Sequence, residues 1–318
     1  MTLVGALAGA VMAASIVAMQ QAPPETSPQQ DPAAIQVDDV LVEGRRLEAL
    51  VSEFVAETAA PARGRGLARW HDSVCVGVVN LRQEAAQYIA DAVSSLALEL
   101  GLTPGEPGCR ANIVVVFAED GRALAEQLAT EHRRAFRSGT AGIDRGNVAF
   151  ADFVRSDRPV RWWHLSMPVN AETGRRAIRL PGDEVNGMPA APMIAVFAAS
   201  RLNSQIRDDM RKAMVIVDID AIETADLAQL ADYIAVVSLA QIDPGAEVGD
   251  HDTILKLFDR PDSAPPGLTE WDRSYLRNLY RVLDSPQLRS NPAAVSTTVA
   301  SAMTRERRAA GDEERDED

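Results

Sequence analysis

Two almost wholly apolar, β-branched runs, SVCVGVVNL at residues 73–81 and ANIVVVFA at residues 111–118, bracket a stretch with helical spacing. In that stretch Ala86, Ile89, Ala90, Val93 and Leu96 recur every three or four residues, and Gly101 ends the pattern. A strand that is apolar on both faces has to be covered on both. Strand, helix and strand in this order form a crossover that pairs its strands in parallel. The pattern therefore predicts an α/β (or α+β) domain, a mixed sheet with flanking helices, built on a βαβ unit near residues 73–118.

The chain has two cysteines, Cys75 and Cys109, one near the start of the first strand and one just before the second. In a βαβ unit those starts lie at the same end of the sheet, so the sulfurs can meet. Closing such a loop stabilises by about 3–4 kcal/mol in the chain-entropy model. Neither a redox pair nor a zinc site fits this spacing, which is not CxxC, and two cysteines alone make a poor zinc site.

Other elements follow from periodicity and caps. The stretch VDDVLVEGRRLEALVSEFVAETAA opens with strand-like alternation and continues as a helix with Leu47, Leu50, Val51, Phe54 and Val55 on one face. Leu124, Leu128 and Phe136 mark a further helix, on whose apolar face His132 falls. Residues 160–168 and 175–181 read as a hairpin around NAETG, and residues 193–198 and 214–218 as strands. Thr224 caps a helix over residues 225–241 that Asp243-Pro244-Gly245 ends. Thr269, with Asp272 three residues on, forms a capping box for a helix that buries Trp271, Tyr275, Leu276, Leu279 and Leu283.

At the front, residues 2–19 are apolar and uncharged, and the first Lys or Arg is Arg45. Residues 1–22 read as a secretory signal peptide, cleaved after Ala18 or Ala22, or alternatively as an uncleaved anchor, the only membrane contact in the chain. Residues 20–36, rich in Pro and Gln, form a disordered linker. Residues 37–290 form a single α/β globular domain, and residues 291–318 a weak helix that dissolves into an acidic, disordered tail. The net charge of −14 argues against nucleic acid as a partner. Two lysines, Lys212 and Lys256, against thirty arginines reflect base composition rather than a guanidinium-based function.

The segments RGLARWHDSVCVGVVNL, PGCRANIVVVFAEDG, LAQLADYIAVVSLAQIDP and ILKLF followed by LTEWDRSYLRNLY resemble a group of secreted alphaproteobacterial proteins. The helix followed by LTEWDRSYLRNLY is also distantly similar to zincin-like secreted domains. A zincin helix carries His-Glu-x-x-His, with two imidazoles on one face for zinc and Glu as base. Here the helix reads Ala231-Asp232-Tyr233-Ile234-Ala235-Val236-Val237-Ser238, without histidine. The resemblance thus implies an exported zincin-like scaffold with no metal and no cofactor.

Few residues offer chemistry. Asp218 and Asp220, at the end of MVIVDID, form an acidic pair of the kind that holds Mg²⁺ for phosphoryl or glycosyl transfer, though turns and caps use strand-end aspartates more often. Asp250 and His251 form either a carboxylate–imidazole relay or a polar loop in which Asp252 caps the ILKLF helix. His164, beside Trp162 and Trp163, reads as a half-buried sheet residue, and His71 stands alone. There is no Gly-x-Ser-x-Gly elbow and no phosphate loop. The expectation is a periplasmic or envelope protein that binds an unknown peptide or protein without catalysis. The alternative is a metal-dependent hydrolase or transferase using Asp218/Asp220 or Asp250/His251.

Overall fold

Alternation along the strands divides the buried side chains between two faces of one sheet. In the computed structural model, which describes residues 37–62, 65–136, 145–177, 184–185, 188–189, 205–222, 225–285 and 292–316, the helices are α1 (Val37–Thr58), α2 (Gln83–Glu99), α3 (Gly121–Glu131), α4 (Arg133–Phe136), α5 (Asn147–Arg155), α6 (Leu227–Leu239), α7 (Glu270–Leu283) and α8 (Pro292–Asp316). The strands are β1 (Ser73–Val74), β2 (Val76–Val79), β3 (Thr103–Pro104), β4 (Ile113–Ala118), β5 (Val160–Asn170), β6 (Glu184–Val185), β7 (Met188–Pro189) and β8 (Ile206–Asp218). The central sheet runs β2-β4-β8-β5, parallel except for β5, which lies antiparallel on β8 at one edge. This is the expected α/β architecture with a mixed sheet, and β2-α2-β4 is the expected βαβ unit. Two small pairs, β1 with β3 and β6 with β7, complete the described strands.

The run predicted as one strand over residues 73–81 is two, because the chain changes partner at Cys75. Before it, Ser73 and Val74 pair with Thr103 and Pro104; after it, Val76 opens the ladder with Ile113. At the changeover the Asn112 side chain accepts from the Cys75 amide at 2.7 Å and donates to the Ser73 carbonyl at 3.0 Å. The expected disulfide forms there, between Cys75 and Cys109. Gly105 is obligatory beside it, since a Cβ at that position would sit 2.6 Å from the Cys109 sulfur.

One face of the sheet carries the main core. Ile113, Val115 and Phe117 of β4, Ala213, Val215 and Val217 of β8, and Val160 and Trp162 of β5 pack there with α2, α6 and α7. Helix α6 is buried almost all round, so its sequence has no polar face: Leu230, Ala231 and Tyr233 through Leu239 are all covered. Its cap is Asp226, in a capping box with Gln229, rather than Thr224, which lies outside the described residues. The predicted box at the start of α7 does form, and Asp272 does more than close it. Its buried carboxylate accepts from Thr253 Oγ1 at 2.5 Å and from the Ile254 amide at 2.9 Å, pinning the preceding loop to the helix. The opposite face is thin: Met214, Ile216 and Trp163 meet Ala125, Phe136 and Phe153 of α3, α4 and α5.

Two sequence expectations change, and a third is extended. Val37–Thr58 is helical throughout, because Val37, Val40 and Leu41 fit helical as well as alternating spacing. The expected hairpin closes around NAETG as far as it is described, bridging Val169 to Arg176, with Ala177 donating to the Pro168 carbonyl at 2.9 Å. On its other side β5 pairs with β8, a partner that local spacing did not offer. Past Asn291 the helix runs on to Asp316 and docks on α7 through Val295, Val299, Ala300 and Met303. Glu306 fixes that contact by accepting from Ser274 Oγ and Asn278 Nδ2, both at 2.7 Å, and from Arg277 at 2.6 Å. Residues 1–36 and the strand expected at 193–198 lie outside the described residues, as does the far arm of the hairpin. Among the described residues no helix is long and apolar enough to cross a membrane.

Candidate functional site: a cavity along the open edge of the sheet

The acidic pairs marked by the sequence do not converge. Asp218 ends β8 and accepts from the Gly121 amide at 2.9 Å, so its carboxylate serves one of the unpaired N–H groups at the start of α3. Asp220, two residues on, is exposed. Asp250 is fully exposed and pairs with Arg260 at 2.7 Å. The His251 ring turns away, stacking on Trp271 at 5.0 Å and meeting Phe54 edge-on at 5.3 Å, and burial lowers its pKa. No relay links the two. The loop that follows is capped by Thr253, whose hydroxyl accepts from Leu255 at 3.2 Å, and not by Asp252. Among the described residues no three His, Cys, Asp or Glu side chains are grouped to hold a metal ion. Asp232, on the helix compared with the zincin helix, accepts from the Leu268 amide at 2.7 Å.

The remaining histidines separate clearly. His132 is exposed at the C-terminus of α3, off the apolar face expected for it, because the helix stops at Glu131. His71 is half-buried, and burial lowers its pKa. His164 is buried, beyond the half-burial expected. Its Nε2 lies 2.7 Å from the Val237 carbonyl, which can only accept, so Nε2 carries the proton. Burial pulls its pKa down to about 4, against the hydrogen bond to Val237. His164 is thus a neutral link between β5 and α6.

That link borders a cavity of about 670 Å³. Its floor is the first half of β5, Pro159 to His164. One wall is α5, through Ala149, Asp152 and Phe153, and the other is the turn Ile242 to Gly245. Both tryptophans are anchored by their indole N–H groups, Trp162 to the Ile242 carbonyl and Trp163 to the Phe136 carbonyl, each at 2.9 Å. Arg145 and Asp243, paired at 2.5 Å, tie the two walls together.

The ladder shows which backbone groups face this space. Asp218 donates to the Pro159 carbonyl and Val160 stands opposite Val217, so Val160 and Val217 are a non-hydrogen-bonded pair. Antiparallel pairing alternates, so Val160, Trp162 and His164 turn their N–H and C=O groups away from β8. Further along, Ala177 and Arg65 cover the edge at Pro168 and Ser166. No such cover reaches the first half of β5 among the described residues.

Arg161 is the unusual side chain of the cavity wall. It is 2% exposed, and only its Nη2 has a partner, the Arg158 carbonyl at 3.3 Å; Nε and Nη1 have none. Burial lowers its pKa, opposed by the more distant carboxylates of Asp218, Asp157 and Asp120. Those acids are committed elsewhere: Asp218 to Gly121, Asp157 to Arg122 at 3.1 Å, and Asp120 to the Ala123 amide at 2.8 Å. Sequence reading missed this residue by treating arginine as compositional. The available signal was a charged residue inside the apolar run VRWWHL.

Comparison of the chain with family models, with curated proteins and with solved structures finds no match.

Proposed function

We propose that this chain is an exported envelope protein that captures an extended segment of a peptide or protein partner along the first half of β5, without catalysing a reaction on it. One observation carries the reading: a strand edge that has no partner among the described residues opens on a cavity large enough for a strand, between α5 and the Ile242–Gly245 turn. An added strand gains its affinity from main-chain hydrogen bonds and its selectivity from pockets for alternate side chains. Here Phe153, Trp162 and Trp163 supply apolar wall. A zincin-like scaffold without its histidines would keep this kind of cleft beside its edge strand. Export accords with the Cys75–Cys109 disulfide, which persists in oxidising compartments, and with the apolar leader. The metal-dependent alternative gains nothing from the geometry, since Asp218 and Asp220 serve different surroundings, as do Asp250 and His251.

The test is a screen of linear peptides against the purified full chain, followed by NMR titration with the best binder. The reading expects amide shifts centred on Val160, Trp162 and His164, and loss of binding when the peptide is N-methylated at alternate residues. Failure to enrich any linear peptide, or shifts confined to another surface, would overturn it.

A further inference from the structure

Charge around the cavity departs from that of the chain. The protein carries a net charge of −14, yet the cavity is lined by Arg145, Arg155, Arg158 and Arg161 against Asp152, Asp157 and Asp243. Two of those acids are neutralised, Asp243 by Arg145 and Asp157 by Arg122. The lining itself thus carries one positive charge in excess on an acidic molecule, with Asp218 and Asp120 acting on Arg161 from outside the lining. Such an excess draws an acidic segment to one place and leaves the rest of the surface repelling it.

Within that lining Arg161 has a particular deficit. A guanidinium carries five N–H donors in a fixed plane, and its usual partner is a carboxylate. Here one nitrogen makes a single long hydrogen bond, and the other two are shut away from both water and partner. Leaving charged donors unpaired in the interior is costly, so each such group calls for a reason, and a ligand that completes its hydrogen bonds is one. Apolar replacement would suit a merely structural position on β5, whose neighbours Val160 and Trp162 are buried.

We infer that the captured segment is acidic, and that a Glu or Asp side chain of it is held by the Arg161 guanidinium, which turns from its buried position into the cavity it lines to meet the acid, with Arg155 and Arg158 supplying attraction at the rim. The aromatic wall of Phe153, Trp162 and Trp163 beside this anchor selects apolar residues next to the acid. This inference rests on the strand-edge reading above and adds the chemistry of the occupant.

Pools of acetylated, amidated peptides of about seven residues, with Glu, Asp, Gln, Asn or Lys fixed at the centre and apolar residues beside it, test this against the full chain by fluorescence anisotropy. The acidic pools should bind about ten-fold more tightly than their amide counterparts, with the advantage shrinking as salt rises. Arg161→Met should bring the Glu-to-Gln ratio close to one and, without peptide, raise Tm; Arg161→Lys should restore part of the ratio. Equal binding of the Glu and Gln pools by the unaltered protein would overturn the acidic anchor and leave strand capture standing. If no pool bound, both would fall. Because the pool comparison uses the unaltered chain, it decides the matter even if an Arg161 variant does not fold.

Discussion

On one side of the sheet, α2, α6 and α7 close over Ile113, Val115, Phe117, Val215 and Val217, and even the middle of α6 meets no solvent. On the other, α3, α4 and α5 cover Met214, Ile216 and Trp163 with Ala125, Phe136 and Phe153 as the fully buried partners among the described residues. The cavity lies where this thin side reaches the edge strand. The same strand serves both: Trp162 belongs to the thick core, while Trp163 and Arg161 belong to the thin side and its margin. Stability is concentrated on one face, and that leaves the other free to keep a large void and an underpaired guanidinium. A site that costs stability is tolerable only where the rest of the fold supplies a surplus.

The largest expected effect contrasts the two faces directly. Trp70, fully buried in the thick core and hydrogen-bonded to the Ser238 carbonyl at 2.9 Å, should cost about 4 kcal/mol on change to Ala. Trp163→Ala should cost about half as much, because its neighbours can relax into the adjoining cavity. Equal losses in urea unfolding would mean that the two faces are equally tight. Removing the staple with Cys75→Ser and Cys109→Ser should cost about 3–4 kcal/mol, read in the same way with the unaltered protein under reducing conditions as control.

A third test uses pH. His164 titrates at an ordinary 6.5 when unfolded and at about 4 when folded. The unfolded chain therefore takes up the proton first, and its contribution is fully present above pH 6.5. It is lost as pH falls from there through 4, by about 3 kcal/mol in all. His164→Gln should flatten that slope; an unchanged slope would remove His164 as the link between β5 and α6. Smallest of all, Asp218→Ala should cost about 1 kcal/mol by freeing the Gly121 amide, and Asp220→Ala almost nothing. Comparable losses from the two, relieved together by added Mg²⁺, would instead favour a shared metal site.

What the sequence made legible was local. The β2-α2-β4 unit, the disulfide and the capping box at Thr269 each depend on residues close together in the chain or on one crossover. The pairing of β5 with β8 escaped because its two strands are separated by a long stretch, and the NAETG turn offered a nearer partner. Alternation misled at Val37–Val42, where β-branched residues satisfy either period. The site was the least legible part. Val160, Trp162 and His164 can be read as strand residues, but which of their edges faces β8 is set by long-range pairing that one chain does not show. Arg161 becomes unusual only once β5, α5 and the Ile242–Gly245 turn come together.

The Cys75–Cys109 bond also has a mechanical consequence. When the folded chain is pulled by its two ends, tension entering at Cys75 passes through the sulfurs to Cys109, bypassing β2 and α2. The 34-residue separation takes about 110 Å of contour length out of the extension, and the thiol-reduced protein should give it back. Of the two parallel strands in the βαβ unit, only β4 would bear load. In a chain held at its two ends, the staple sets which strand gives way first.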